Sequence, residues 1–157
     1  QLVARAALQP LERQASGGKS ENPYQIQYDL QDMMQQYAGI VRNEKDLAHA
    51  CDELQRLKAR AARAVAQGNR EYNPGWHTSM DLQNLLAVSE ALVLSGLDRK
   101  ESRGGHFRED HPGKDEANFG KHNSIIRRSP GSGQMELSRQ PIKPMPEELK
   151  KVIEENS

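Results

Sequence analysis

Along the middle of the chain, apolar residues recur at intervals of three and four, the period that gathers them on one side of an α-helix. Ile26, Leu30, Met33, Tyr37 and Ile40 follow this rule. Asn22 can accept from the first free amides of such a helix, and Pro23 can take its first position, where a missing donor costs nothing. The pattern predicts a helix from there to about Arg42. A second is predicted after Asn43, with Leu47, Cys51, Leu54, Leu57 or Lys58, Ala61 and Val65 on its seam. Alanines at 59, 61, 62, 64 and 66 would let a neighbour approach closely near its end. A third is predicted from Thr78, where Asp81 approximates a capping box. It carries Met80, Leu82, Leu85, Leu86, Ser89, Leu92, Val93, Gly96 and Leu97.

Each stripe can leave water only against the other two, so the predicted architecture is mainly α: a three-helix up-down-up bundle, spectrin-repeat-like, over 22–103. Before it, Gln1 to Gln14 is helix-like but interrupted at Pro10, and Ser16-Gly17-Gly18-Lys19-Ser20 reads as a linker. Residues 1–21 are thus expected to be a connection rather than part of the bundle. Residues 67–76 form a turn-rich link. Beyond the bundle, 104–157 is read as a polar loop, a β-hairpin and a short C-terminal helix. The hairpin strands are His122 to Arg127 and Gln134 to Arg139, turning at Ser129-Pro130-Gly131-Ser132-Gly133. Pro141, Pro144 and Pro146 enforce an extended approach, and Pro146 opens a helix to Glu155 with Leu149, Val152 and Ile153 on one face.

Composition narrows the function classes. Hydrophobic residues make up 35% and aromatics 4%, so the core is modest and the surface well solvated. Lys+Arg and Asp+Glu both number 22, leaving no net field to draw in nucleic acid. No apolar run is long enough for a membrane span and no signal-peptide layout opens the chain, which fits a cytoplasmic setting. The single cysteine, Cys51, has no internal disulfide partner and reads as a small packed hydrophobe.

Candidate chemistry concentrates in Glu101-Ser102-Arg103-Gly104-Gly105-His106-Phe107-Arg108-Glu109-Asp110-His111-Pro112. Arg103, His106, Arg108, Asp110 and His111 can be read as a ligand site, since guanidinium groups grip carboxylates through paired hydrogen bonds. They can equally be read as structural, with Arg103 and Arg108 pairing with Glu101, Glu109, Asp110 or main-chain carbonyls to lock an irregular segment. His106, His111 and Asp110 as metal ligands lack a well-spaced further donor. Trp76 reads as a packing anchor.

Asp81-Leu82-Gln83-Asn84-Leu85-Leu86, followed by Arg99 to Pro112, closely resembles the C-terminal domain of the flavoprotein subunit of succinate dehydrogenase and fumarate reductase, a family that L-aspartate oxidase also resembles. The pattern Glu-Ser-Arg-Gly-small-His-x-Arg-x-Asp-x-Pro carries the resemblance, which extends to Gly39-Ile40-Val41-Arg42 and to the Pro141–Pro146 tail. It implies that Ser102, Arg103, Gly104, Gly105, His106, Arg108, Asp110 and Pro112 are structural or docking residues. It also implies that the catalytic, flavin-binding and substrate residues lie in other domains, with none of these and no metal ligand here. No glycine-x-glycine-x-x-glycine follows a strand-like run, so the chain is read as a piece of a longer polypeptide whose full length uses FAD. The implied partners are its own flavin and capping domains and an iron-sulfur subunit, placing it peripherally at the inner face of a membrane. A freestanding helical interaction module, a small hydrolase or metal enzyme, and an L-aspartate oxidase domain are the alternative readings.

Overall fold

In the computed structural model, which describes residues 2–13 and 20–156, the helices pack because their caps and stripes agree. α1 spans Leu2–Glu12, α2 Pro23–Tyr37, α3 Glu44–Ala61 and α4 Pro74–Asp98. Asn22 accepts from the Tyr24 amide at 2.9 Å, and Asn43 from the Asp46 amide at 2.8 Å, so α2 and α3 start where expected. Their inner faces bury Ile26, Leu30 and Met33 against Leu47, Ala50, Leu54, Leu57 and Ala61. α4 closes the core with Leu82, Leu86 and Val93. Neighbours run antiparallel. Arg60, near the end of α3, holds Asp29 of α2 at 2.6 Å and Glu21, just before α2, at 3.2 Å. Near the start of α3, Leu47 comes within 3.6 Å of where a Cβ on Gly96, late in α4, would sit.

Several expectations are corrected. α2 stops at Tyr37 rather than Arg42, and Ile40, assigned to the seam by its spacing, is 81% exposed. The chain turns at Gly39, where a Cβ would lie 2.7 Å from the Gln35 carbonyl oxygen, so only glycine fits that close approach. Val41–Arg42 then forms β1, paired in parallel with β2, Phe107–Arg108. On α3, Leu57 takes the seam while Lys58 reaches across to Glu90.

α4 begins four residues before Thr78: Asn73 accepts from the Trp76 amide at 3.0 Å and Pro74 holds the first position. The Thr78 hydroxyl merely donates to the Pro74 carbonyl one turn back. Helix α1 runs through Pro10 and is tied into the helical unit rather than serving as a connection. The Trp76 indole donates to the Ala7 carbonyl at 2.6 Å, and the Ala66 amide to the Pro10 carbonyl at 3.0 Å. The proposed linker at 16–19 lies outside the described residues.

Two compact units divide the chain after Gly113, so the polar loop belongs to the helical unit rather than to the tail. In the second unit, β3 (His122–Arg128) and β4 (Met135–Pro141) form an antiparallel ladder from His122–Pro141 to Arg128–Met135. Gly133, at φ +69°, closes its turn. Buried Phe119 lies under the Arg139 guanidinium, 4.3 Å from the ring centre. α5 follows as Glu147–Glu155, with Leu149, Val152 and Ile153 each about half exposed.

Asn73 also donates to the Gln67 and Asn69 carbonyls, so it organises the α3–α4 connection as well as capping α4. Asn73→Ala is expected to cost about 1 kcal/mol or more, whereas Thr78→Ala should stay within about 0.5 kcal/mol. Chemical denaturation followed by circular dichroism measures both; the reverse order would move the cap to Thr78.

Candidate functional site

The loop after α4 folds into a knot because nearly every polar group in it has a partner within reach. Arg99 caps α4 through its amide, which donates to the Ser95 carbonyl at 3.1 Å. Glu101 follows with no exposed surface. Its carboxylate accepts from Arg99 Nε and Nη2 at 2.9 and 2.6 Å, and from Arg103 Nε and Nη2 at 2.9 and 3.1 Å. Two guanidinium groups therefore compensate one buried negative charge. The Ser102 hydroxyl accepts from the Arg108 amide and donates to the His111 carbonyl, both at 2.8 Å, while its amide donates to the Gly113 carbonyl.

Gly104 and Gly105 form a two-residue turn closed by reciprocal hydrogen bonds between Arg103 and His106. Gly104 sits at φ +60°, while Gly105 keeps a negative φ and has nothing within 4 Å of a would-be Cβ. Alanine would thus be strained at the first position and free at the second.

His106 bridges this turn to the rest of the unit. Its Nδ1 lies 3.0 Å from Arg42 Nη1, a group that can only donate, so Nδ1 is the acceptor. Nε2 consequently carries the proton and donates to the Arg99 carbonyl at 3.1 Å. Burial, joined by the charges of Arg42, Arg108 and Arg99, pushes the imidazole below its ordinary value of 6.5, against the contrary pull of the Arg99 carbonyl. Arg42 Nε meanwhile holds the Gly39 carbonyl at 2.7 Å, joining the end of α2 to the loop.

Arg108 is the second fully buried charge. Its guanidinium grips Asp110 with two hydrogen bonds of 2.7 Å, donates to the Gly96 carbonyl of α4 at 2.8 Å and meets Glu44 of α3 at 2.8 Å. Asp110 in turn accepts from the Glu44 amide at 2.9 Å, the first residue of α3. The Arg108 guanidinium holds the Asp110 carboxyl well below the usual carboxylate range and lowers Glu44 as well. Glu109, a possible arginine partner by sequence, instead receives the Asn43 side-chain amide at 2.6 Å. Pro112 lies exposed at the rim.

The knot therefore brings Ser102, Arg103, His106, Arg108 and Asp110 together, and adds Arg42, Glu44 and Glu101. Arg42 is 64 residues from His106, and Glu44 is 64 from Arg108, a separation across which helical periodicity carries no signal. An acidic residue in the first turn of a helix is favoured on its own account, so Glu44 gave no hint of a distant arginine. As a metal site the sequence offered only His106, His111 and Asp110, without a well-spaced further donor, and His106 is committed to Arg42 and Arg99. Glu44, Asp110 and His111 do place one donor atom each within 4.8 Å of one another. Both of those carboxylates already hold Arg108, whose fixed positive charge opposes a metal ion there.

Residues 27–153 match the family model described as fumarate reductase flavoprotein C-term. The chain belongs to this family. It is similar to the succinate dehydrogenase flavoprotein subunit of Coxiella burnetii, 32% identical over 123 residues, covering 78% of this chain and 21% of that protein. The fumarate reductase flavoprotein subunit of Mycobacterium tuberculosis is 36% identical over 132 residues, covering 82% and 23%. Proteins named L-aspartate oxidase match as well. Among solved structures, Mycobacterium smegmatis Sdh1 in complex with UQ1 superposes with a TM-score of 0.83 at 37% identity, covering 97% of this chain and 25% of that one. The chain thus spans about a fifth to a quarter of the length of the family members it matches.

Two measurements probe the knot. Gly104→Ala is expected to cost about 1 kcal/mol, and Gly105→Ala to stay within about 0.5 kcal/mol; equal costs would contradict the turn geometry. For His106, the unfolded chain binds the proton more readily than the folded one, so its contribution is fully present above pH 6.5 and is lost as pH falls below it. Stability of the wild type should decline through that window, and His106→Gln, which keeps a donor and an acceptor, should flatten the decline. A variant as steep as the wild type would assign the decline to another group.

Proposed function

We propose that these residues form the C-terminal helical domain of a succinate dehydrogenase or fumarate reductase flavoprotein subunit. In the full-length protein, electrons pass between succinate or fumarate and FAD, and onward to an iron-sulfur subunit. This region supports the flavin and capping domains and offers docking surface; it does not react with substrate. The observation that carries the reading is the internal commitment of the knot. The guanidinium groups suited to gripping a dicarboxylate are occupied by Glu101, Asp110 and Glu44, and Arg108 has no exposed surface to offer a ligand. Family membership supports it from the other side, since the proteins matched are flavoprotein subunits of which this chain spans only the smaller share.

FAD does not fit these residues. Among the described elements the only parallel strand pair is the two-residue β1–β2 ladder, with no strand running through a glycine-rich turn into a helix N-terminus to receive a pyrophosphate. The flavin is therefore assigned to the remainder of the parent polypeptide. No helix among the described residues is long and apolar enough to cross a membrane. Peripheral placement at the inner face of a membrane, through partner subunits, is the matching localisation.

The test uses the parent flavoprotein subunit. Arg108→Met leaves the Gly96 carbonyl and two exposed carboxylates without their cation, and losing such charge-assisted hydrogen bonds costs about 1–3 kcal/mol. A lowered melting temperature with unchanged KM for succinate in a dye-reduction assay is the expected result. A raised KM at unchanged melting temperature would place Arg108 at the substrate, and reduction driven by L-aspartate instead of succinate would replace the substrate assignment.

A further inference from the structure

The knot contains two joints whose chemistry differs. One ties the end of α4 to the start of α3: Arg108 donates to the Gly96 carbonyl and to Glu44, and it grips Asp110, which accepts from the Glu44 amide. Arg108 stays cationic at any working pH. It holds both carboxylates below their ordinary values, so they remain charged over the range in which a histidine titrates. The other joint ties the end of α2 to the same loop. Arg42 holds the Ala38 and Gly39 carbonyls through Nε, and its Nη1 donates to His106 Nδ1 at 3.0 Å. This second joint has one member able to change charge near neutrality, and it closes only while that imidazole is neutral.

We infer that the knot is a latch that acid opens on one side only: protonation of His106 releases Arg42, and with it the end of α2 and the β1–β2 ladder, while the joint between α3 and α4 stays closed. A protonated Nδ1 would aim its N–H at the N–H of Arg42, turning a hydrogen bond into a contact between two donors. The imidazolium would also add positive charge to a site already faced by Arg42 from β1, Arg108 from β2 and Arg99 from the end of α4. The carboxylates on the packed elements are engaged elsewhere. Glu44 and Asp110 hold Arg108, Glu101 holds Arg99 and Arg103, and Glu109 receives Asn43. Little else secures the released segment: a ladder of two residues, Val41 opposite Phe107 and Arg42 opposite Arg108, and the Glu109 amide on the Arg42 carbonyl. The acid response of His106 is therefore a local opening at one corner of the unit.

Hydrogen exchange read by mass spectrometry tests the latch in the full-length polypeptide that carries this region, between pH 7.5 and 5.5, with labelling times scaled for the intrinsic exchange rate. As pH falls below 6.5, exchange in peptides covering 38–43 and 103–107 should quicken by up to about tenfold per pH unit, because opening takes up one proton, and should level once the folded imidazole is itself protonated. Peptides covering 44–50 and 93–99, which contain the Glu44 amide and the Gly96 carbonyl, should keep their protection throughout. His106→Gln, which can accept from Arg42 and donate to the Arg99 carbonyl without titrating, should remove the step. Arg42→Met breaks the same joint from its other side, so exchange in 38–43 and 103–107 should already be fast at pH 7.5 and show no step. Parallel opening of 44–50 and 93–99, or a step that persists in either variant, overturns the inference.

Discussion

A guanidinium with no access to water must find its partners inside the protein, and the helical unit is built around satisfying Arg108. Isolated in an apolar interior, that charge would be prohibitively expensive. Here it lies between the C-terminal end of α4, whose Gly96 carbonyl it meets, and the N-terminal end of α3, whose Glu44 amide is taken by Asp110. Unpaired carbonyls make a helix C-terminus a site for cations, and unpaired amides make an N-terminus a site for anions. The Arg108–Asp110 pair presents each charge to the helix end that favours it, so one ion pair satisfies two helix termini and fixes where they meet.

How much of this was legible follows from the range over which each signal acts. Capping is local, so Asn22-Pro23 and Asn43 were readable; Asn73-Pro74 carries the same signal as Asn22-Pro23 and was overshadowed by the weaker pairing of Thr78 with Asp81. Seam spacing correctly put Ile26, Leu30, Met33, Leu47, Leu54, Leu82, Leu86 and Val93 inside. It failed at Ile40, because periodicity counts side chains and ignores the backbone. The clash that any Cβ at Gly39 would make with Gln35 decides where α2 stops. It also seated Leu85 and Leu92 with Leu82, Leu86 and Val93, yet each is 38% exposed because it flanks the stripe rather than centring on it. The loop's membership was visible as a dense motif, but its anchors on Arg42 and Glu44 depend on tertiary contact alone.

In the second unit the balance is different. The β3–β4 ladder places Ile125 opposite Ser138 and Ile126 opposite Leu137, so only part of its cross-strand pairing is apolar. Two strands are marginal in water without something to cover a face. Phe119, buried beneath Arg139, and Asp115, whose carbonyl and carboxylate hold the amides of Phe119 and Asn118, supply local order at the base of the hairpin. Pro141 closes β4 at its final residue, where the missing amide interrupts no further pairing. The short turn at Ser129–Gly133 was recoverable from glycine and proline alone, because turn chemistry is as local as capping.

A region that supports rather than reacts still has reason to keep costly buried charges. The seam of α2, α3 and α4 is leucine, isoleucine and alanine, and burial of such surface is strong but non-directional. A stripe of that kind holds helices together more firmly than it fixes their offset along the axis. The knot supplies the missing constraint. Arg108 reaches Gly96 and Glu44 at 2.8 Å only if α3 and α4 stand at one offset, and Arg42 reaches both Gly39 and His106 only if the end of α2 joins them. Hydrogen bonds to charged groups are short and angularly demanding, so a slip of a helical turn would strand several charges at once. The motif is dense because each of its residues completes a contact that another has left open.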